Sequence, residues 1–553
     1  MVIVYKKPPI THIAIVTPEI GNLTGSDLGE LADMLSGKGG GLGDVAAAMF
    51  IGLRQAGVQV SLLAPNFKKI YQRNAKLTEE EWREKRHTTD PQGINLIGSR
   101  VFENVPKIYG NKDANGGDLD ALVCARFQEN SRHVLKDLEA KNSGRLIADL
   151  QDFFGSGALA AYAKSRNMAI IQTLHNGHEK HVPIDYYQDM NLSSFYENLF
   201  LKEINNKIHI SQMATGVKNA TKLKSVGFEF IRRMYSGELD YDETISKELI
   251  NEIKEKHKHE QIECVPNSIS PKFYPENQNI PRIFSEKTGN ILEAKNINKL
   301  YLQKKVGLKE DENAILFVST SRLDPTQKGV QHFANTMSYI INKYEDVQFF
   351  IIGDPTESEE GRRVKEDIIR AALASNGRIA YAPFDEQLCA ITYAAGADSF
   401  GASSKEPFGQ NDVVGIINGG TATNNNVDGY KDKIKPITLE QIQAIEKNLK
   451  YFKEPVSEEH AMKFINKLKE KNLYGNGFLF NGSDPYSLGA GLEESIIINR
   501  YFRDDPDIGN AHARLRIIDT KNEYKLDKMI NALIRLYESV EKEKIDTGSW
   551  KSY

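Results

Sequence analysis

Lys38-Gly39-Gly40-Gly41-Leu42-Gly43-Asp44 separates the apolar run Ile13–Val16 from a helix-like apolar stretch that starts at Val45. Glycines between a strand and a helix let backbone amides close on an anion, and Lys38 and Asp44 set opposite charges beside them. That pattern suits a phosphorylated or nucleotide-linked ligand at the C-terminal edge of an open sheet. Lys38, Gly40, Gly41 and Asp44 are therefore candidate binding residues. A solvated surface loop is the plain alternative, because glycine clusters are common loop markers. Two standard phosphate motifs are excluded. No Lys-Ser or Lys-Thr follows the glycines, as a Walker loop requires, and the glycines do not come directly after the strand, as in a dinucleotide fingerprint.

Outward from this turn, short apolar runs alternate with helix-like stretches. Residues 13–16, 58–63 and 170–174 read as strands and 45–55 as a helix. A second series starts near residue 314, with strands over 315–319, 347–352 and 379–382, a helix over 330–341 and more apolar residues over 394–400. This succession predicts an α/β chain with parallel sheets. At 553 residues it exceeds what one hydrophobic core usually spans, so two units are expected. The crossover between them is placed at 265–268 and 271–275, where prolines disfavour regular structure. Charged segments 248–263 and 463–471 read as helix surfaces.

Composition narrows the function classes. Hydrophobic residues make up 40% and charged residues 26%, with a formal net charge of −4, which offers no global basic field for nucleic acid or an anionic membrane. Cys124, Cys264 and Cys389 show no metal-ligand spacing and point to a reducing compartment. Residues 1–9 contain two lysines but no long apolar segment or small-residue cleavage signature, so no secretory leader is expected. No uninterrupted apolar run reaches about 18 residues, so no membrane span is expected either. A cytoplasmic location follows as the expectation.

Several separated segments, taken together and in order, resemble the motifs of bacterial glycogen synthases and plant starch synthases, glycosyltransferase family 5. Lys38 to Val45 is similar to the family's lysine-glycine loop, and Thr173-Leu174-His175-Asn176 to its threonine-aliphatic-histidine-asparagine motif. Leu150-Gln151-Asp152-Phe153-Phe154 falls where the family carries histidine-aspartate-tryptophan-histidine, with the aspartate kept. Ser321-Arg322-Leu323 with Gln327-Lys328-Gly329 resembles its donor-phosphate segment. Glu406-Pro407-Phe408-Gly409 and Gly475-Asn476-Gly477-Phe478-Leu479-Phe480 resemble two later motifs. The resemblance implies an α/β GT-B fold, two Rossmann-like domains with an interdomain cleft. It implies an acceptor-side domain over 1–268, a nucleotide-sugar-binding domain over 269–520 and a helical return to the first domain over 521–553. The stripe Leu526, Met529, Ile530, Leu533, Ile534 and Tyr537 has the spacing of such a packing helix.

By the same resemblance, Arg322 and Lys328 stabilise charge on a departing nucleoside diphosphate, and Glu406 contacts sugar hydroxyls near the reacting carbon. An exposed ion pair of Arg322 or Lys328 with Asp324, and a cap or a Lys405 partner for Glu406, are the structural alternatives. His175 donates to a sugar hydroxyl from the first domain, or is an ordinary loop histidine; Asp152 contacts sugar or acceptor, or caps the loop. Gly409 is a further candidate binding residue, and Gly429 with nearby amides contributes to the distal phosphate pocket, beside an Asp428 that departs from the family's paired glycines or serves the loop's structure. Asp354 either binds a nucleotide group or caps a helix, and Phe478 either edges a cleft or sits in the core. Val414 stands where the family has a second glutamate, and Gln410-Asn411-Asp412 where it has leucine-threonine-glutamine.

The expected activity is retaining transfer of glucose from ADP-glucose or UDP-glucose to an α-1,4-glucan. A related transferase with another sugar or a small carbohydrate acceptor is the runner-up, and a noncatalytic carbohydrate-binding protein the third reading. No cofactor and no metal ligand set are expected, because the family compensates the diphosphate with basic side chains and amides. Nucleic acid and membrane partners are not expected, and a homo-oligomer is left open.

Overall fold

The computed structural model describes residues 11–23, 34–88, 93–113, 116–240, 242, 244–452 and 454–550; the opening residues 1–9 lie outside them. The chain divides into two compact units. Unit 1 is Met1–Ser268 with Leu526–Tyr553, and unit 2 is Ile269–Lys525.

Among the described residues, unit 1 is built on a seven-stranded parallel sheet in the order β10-β9-β5-β4-β1-β2-β3. Its strands are β1 (Ile13–Val16), β2 (Val60–Pro65), β3 (Ile94–Ile97), β4 (Ile147–Gln151), β5 (Ala169–Leu174), β9 (Lys222–Ser225) and β10 (Ile262–Cys264). A small antiparallel sheet of β6 (His181–Pro183), β7 (Leu201–Ile204) and β8 (Lys207–Ser211) lies between β5 and β9 in the chain. Every residue of β1, β2 and β5 is buried, as continuous apolar runs of a parallel sheet covered on both faces must be. Strand order reverses between β1 and β4, whose successors run outward in opposite directions. Such a switch point leaves a crevice past the carboxyl ends of the two strands.

Unit 2 repeats the principle. Among the described residues its parallel sheet runs β13-β12-β11-β14-β15-β16. The strands are β11 (Ile315–Thr320), β12 (Val347–Ile352), β13 (Ile379–Ala382), β14 (Asp398–Gly401), β15 (Thr421–Asn425) and β16 (Phe478–Phe480). The switch point lies between β11 and β14. Phe478 is buried core, 3% exposed.

Three local expectations change. The helix read over 45–55 already starts at the glycines, as Gly41–Gln55. The helix read over 330–341 is a 3-10 turn, Val330–His332, followed by the helix Phe333–Lys343, because left-handed Gly329 ends the preceding Pro325–Lys328 turn and the chain must restart. Residues 394–400 contain a helix end and a strand start: Glu386–Ala395 stops before Gly396, and β14 begins at Asp398.

The helix Pro506–Glu523 continues past the expected boundary at 520, and the final helix Leu526–Asp546 belongs to unit 1. Met529, Ile530, Leu533, Ile534 and Tyr537 are buried on it. Ile530 seats against Gly52 of the helix Gly41–Gln55, where an added Cβ would come within 2.5 Å of its side chain. Any larger residue at 52 would push the two helices apart, with an overpacking cost of about 1–3 kcal/mol.

Candidate active site

The glycine turn does cradle an anion, but that anion is part of the chain. Glu19, three residues beyond β1, accepts from the amides of Gly39 at 2.9 Å, Gly40 at 3.1 Å and Gly43 at 3.3 Å through Oε2, and from the Tyr109 hydroxyl at 2.6 Å through Oε1. Burial pushes the Glu19 carboxyl above its ordinary range, and these four donors pull the other way. Gly40 therefore gives its amide to Glu19, while Gly41 opens the helix. Lys38 and Asp44, the opposite charges beside the turn, meet each other at 3.0 Å.

Across the same switch point, Asp152 and His175 directly follow β4 and β5. Asp152 is held at φ +48°, a left-handed conformation that costs an L-residue about 1–2 kcal/mol and that aspartate tolerates through local hydrogen bonds. Its Oδ1 accepts from the His175 amide at 2.8 Å and the Asn176 amide at 3.4 Å, and its Oδ2 from Asn176 Nδ2 at 3.0 Å. Beneath it, Asp149 is fully buried in β4 and accepts from Lys224 Nζ at 2.9 Å, Thr173 Oγ1 at 2.6 Å, Gln151 Nε2 at 2.5 Å and the Tyr537 hydroxyl at 2.8 Å. A carboxylate only accepts, so the Gln151 atom facing Asp149 is its amino group and Oε1 must face away. That Oε1 stands 2.7 Å from His175 Nε2. Burial, with the Lys224 charge adding, takes the His175 imidazole down to about 3, so it is neutral and its single proton lies on Nε2. His175 thus offers Nδ1 as an acceptor, where the sequence suggested a donor.

Burial also raises the Asp152 carboxyl to about 7 from an ordinary 3.8, against the hydrogen bonds from His175 and Asn176 and with the Glu19 charge adding. The folded state therefore binds this proton more tightly than the unfolded chain. Its contribution to stability is fully present below about pH 4 and is lost as pH rises through 7. In urea unfolding followed on unit 1, that loss is expected to amount to about 2 kcal/mol between about pH 5 and pH 7. Asp152→Asn should flatten this slope; an unchanged slope in the variant would contradict the assignment.

In unit 2, Gly329 brings the loop after β11 against the end of β14. It sits at φ +63°, and a Cβ there would lie 2.2 Å from the Ala402 carbonyl oxygen, so only glycine allows this approach. The approach places Lys328 against Glu406: Nζ pairs with Oε2, with the two side chains 16% and 13% exposed. Ser403 Oγ donates to the same oxygen at 3.2 Å, and the Glu406 amide donates to Asp428 Oδ2 at 2.8 Å. A cavity past the strand ends is lined by Lys328, Ser321, Ser403, Asn411, Asn424 and Tyr430. Arg322 is exposed on the same loop, with Nη2 3.5 Å from Gln327 Oε1. Asp324 caps the Pro325–Lys328 turn through the Thr326 and Gln327 amides, both at 3.1 Å. The Gly429 amide donates to the Glu406 carbonyl at 3.0 Å, so it braces this loop. Asp354 Oδ1 accepts from the Phe384 amide at 3.2 Å.

A family model for the starch synthase catalytic domain matches residues 12–247. The glycogen synthase of Bacillus subtilis is 24% identical over 425 residues, covering 73% of this chain and 83% of that protein. The glycogen synthase of Exiguobacterium sibiricum is 25% identical over 428 residues, covering 72% and 82%. Among solved structures, the catalytic domain of starch synthase IV from Arabidopsis thaliana is similar at a TM-score of 0.67 and 15% identity, covering 97% of this chain and 99% of that one. Residues 12–247 match the starch synthase catalytic domain, and the chain is similar to glycogen synthases over most of its length. It is a glycogen/starch synthase-like glycosyltransferase with the GT-B fold.

The residues that set this glycogen synthase-like chain apart have structural work of their own. Phe153 and Phe154 pack against Tyr109, with ring centroids 6.4 and 5.8 Å away, and so back the hydroxyl that holds Glu19. Val414 is buried in the helix Asn411–Ile417. Asp412, on the same helix, forms a buried ion pair with Lys433 at 3.1 Å, and Lys433 Nζ also donates to the carbonyls of Phe408 and, at 2.6 Å, Gly409. This pair pins the loop that carries Glu406. Glu19, Tyr109, Asp149, Lys224 and Lys433 escaped sequence reading. A charged residue in the buried run Ile147-Ala148-Asp149-Leu150 was the one readable signal, since a carboxylate there requires a partner.

Proposed function

We propose that the protein transfers glucose from ADP-glucose or UDP-glucose to the nonreducing end of an α-1,4-glucan, with retention of configuration. The observation that carries this reading is the Lys328–Glu406 pair at the switch point of the second sheet. Lys328, joined by exposed Arg322, takes up charge as the diphosphate leaves. Glu406, its backbone held by Asp428, accepts from the sugar hydroxyls. His175 accepts a further hydroxyl at Nδ1, and Asp152 fixes the loop that presents it. The acceptor hydroxyl attacks on the face from which the nucleoside diphosphate departs, and confinement of the two reactants lowers the entropic part of the barrier. The starch synthase IV domain was solved bound to ADP and acarbose, a nucleotide and a saccharide of the classes proposed here.

A second reading, transfer of another sugar or to a small carbohydrate acceptor, is favoured by Gln151, Phe153 and Phe154 around Asp152 and by Val414 in place of a glutamate. Small changes of this kind alter discrimination without altering the fold. The deciding experiment incubates nucleotide sugars with glycogen, malto-oligosaccharides and small polyols, followed by mass and linkage analysis. Stepwise α-1,4 extension is the expected result. Selective glycosylation of a small acceptor moves the assignment to the second reading, and donor binding without transfer or hydrolysis removes both.

A further inference from the structure

Unit 2 has a second cavity, at the opposite ends of the strands that carry the Lys328–Glu406 site. Its wall includes Ile315 at the start of β11, Ala397 just before β14 and Gly419 before β15. At about 350 Å³ it falls in the range of small-molecule sites. Lys295 and Lys299 reach it from the helix Ile291–Val306, and Arg516 from the helix Pro506–Glu523; all three are at most 9% exposed.

Among the described residues, none of these cations is paired with a carboxylate. Lys295 Nζ donates to the carbonyls of Asn418 at 2.6 Å, Ala394 at 3.2 Å and Tyr393 at 3.4 Å. Lys299 Nζ donates to those of Glu312 at 2.6 Å and Ala314 at 2.7 Å. Arg516 donates to the Gly419 carbonyl at 2.9 Å and meets His512 Nδ1. Helix-end carbonyls offset about half an elementary charge per helix and the wall also carries Glu293 and Glu312, so the three cations outnumber these two glutamates by one. Burial, then Arg516 and Lys299, hold Lys295 down at about 7; burial takes Lys299 to about 8, with Arg503 adding and Asp311 and Glu312 opposing. Arg503 on the wall is already engaged by Asp346 and Asp504. Among the described residues, the donor Arg516 Nε and the acceptor Asn296 Oδ1, both of wall residues, are buried without a hydrogen-bond partner. Buried cations with an unmet donor beside an open cavity are stabilised by an anion that enters it.

We infer that this cavity binds a small phosphate-bearing anion, with Lys299 and Arg516 as its principal contacts, Lys295 as supporting charge and Asn296 accepting from a ligand hydroxyl. A phosphate ester of a polyol satisfies all of these groups, and free phosphate only the cations. The test is calorimetric titration of the full chain with inorganic phosphate and with glycerol 3-phosphate, in the parent and in Lys328→Met, which removes the phosphate contact of the other site. One saturable site that survives in Lys328→Met and weakens about tenfold or more in Lys299→Met and Arg516→Met is expected. Tighter binding of the ester assigns the site to phosphate esters, and equal binding assigns it to free phosphate. Loss of all binding in Lys328→Met, or unchanged binding in both Lys299→Met and Arg516→Met, overturns the inference. Crystals of the parent chain soaked in tungstate test it without substitution: anomalous density between Lys299 and Arg516 supports the site, and its absence there overturns it.

Discussion

Lys328→Met is expected to lower kcat/KM for transfer from the nucleotide sugar by about 10²- to 10³-fold, equivalent to about 3–4 kcal/mol of lost transition-state stabilisation. Methionine keeps the apolar stem and removes the charge, so the fold around Gly329 stays in place. Two effects then add. The departing diphosphate loses its cation, and among the described residues Glu406 Oε2 keeps the Ser403 hydroxyl, which leaves a poorly compensated carboxylate facing the incoming donor. The double variant Lys328→Met with Glu406→Gln separates them. If Lys328 served only as a counter-ion to Glu406, its removal would cost nothing more in the Glu406→Gln background, and the double variant would match Glu406→Gln alone. If it acts on the diphosphate, the double variant is slower than Glu406→Gln. Arg322→Met leaves the Lys328–Glu406 pair intact and reads its own donor contact alone, with about a 10- to 100-fold loss expected for one charge-assisted contact. Single-turnover transfer at saturating and limiting donor measures all of these. A parental rate in Lys328→Met would remove the residue from the chemistry.

Much of the fold was legible because parallel strands covered on both faces must be apolar throughout. Residues 347–352 and 379–382, read from that property alone, are β12 and β13 without a shift of end. The stripe from Leu526 to Tyr537 likewise predicts a buried helix face, and most of it is one. The motifs placed His175, Asp152, Lys328 and Glu406 past the strand ends, which is where a switch point exposes side chains to a ligand. What stayed hidden were the partners. Glu19 lies 20, 21 and 24 residues from the glycine amides it binds, and Lys328 lies 78 residues from Glu406. Asp149 is separated from Lys224 by 75 residues and from Tyr537 by 388. Sequence spacing reveals pairs on one helix face or one strand; contacts closed by tertiary packing leave no periodic trace. The glycine turn shows the consequence. Its capacity for an anion was readable, but not that a glutamate of the same chain already occupies it.

Lys224→Met is expected to destabilise unit 1 by about 3–5 kcal/mol, because it leaves the Asp149 carboxylate buried without its cation. Asp149 is 0% and Lys224 2% exposed, so water cannot replace the lost partner. Tyr537→Phe removes a neutral donor to the same carboxylate and should cost less, about 1–3 kcal/mol, while loosening the final helix where it meets β4. The double variant Lys224→Met with Asp149→Leu replaces the ion pair by apolar groups and should recover most of the stability, since a buried pair and its hydrophobic substitute are often nearly equivalent. Its activity should not recover. Without Asp149 nothing requires the Gln151 amino group to point down the strand, so Oε1 is no longer committed to His175 Nε2 and the imidazole loses its fixed tautomer. Urea unfolding followed on unit 1 reads the first effect, and nitrogen-15 shifts of His175 read the second, with the parent showing the Nε2–H form. Unfolding of Lys224→Met at the parental midpoint would sink the stability argument; a double variant that keeps both the tautomer and the transfer rate would show that the network serves the fold alone.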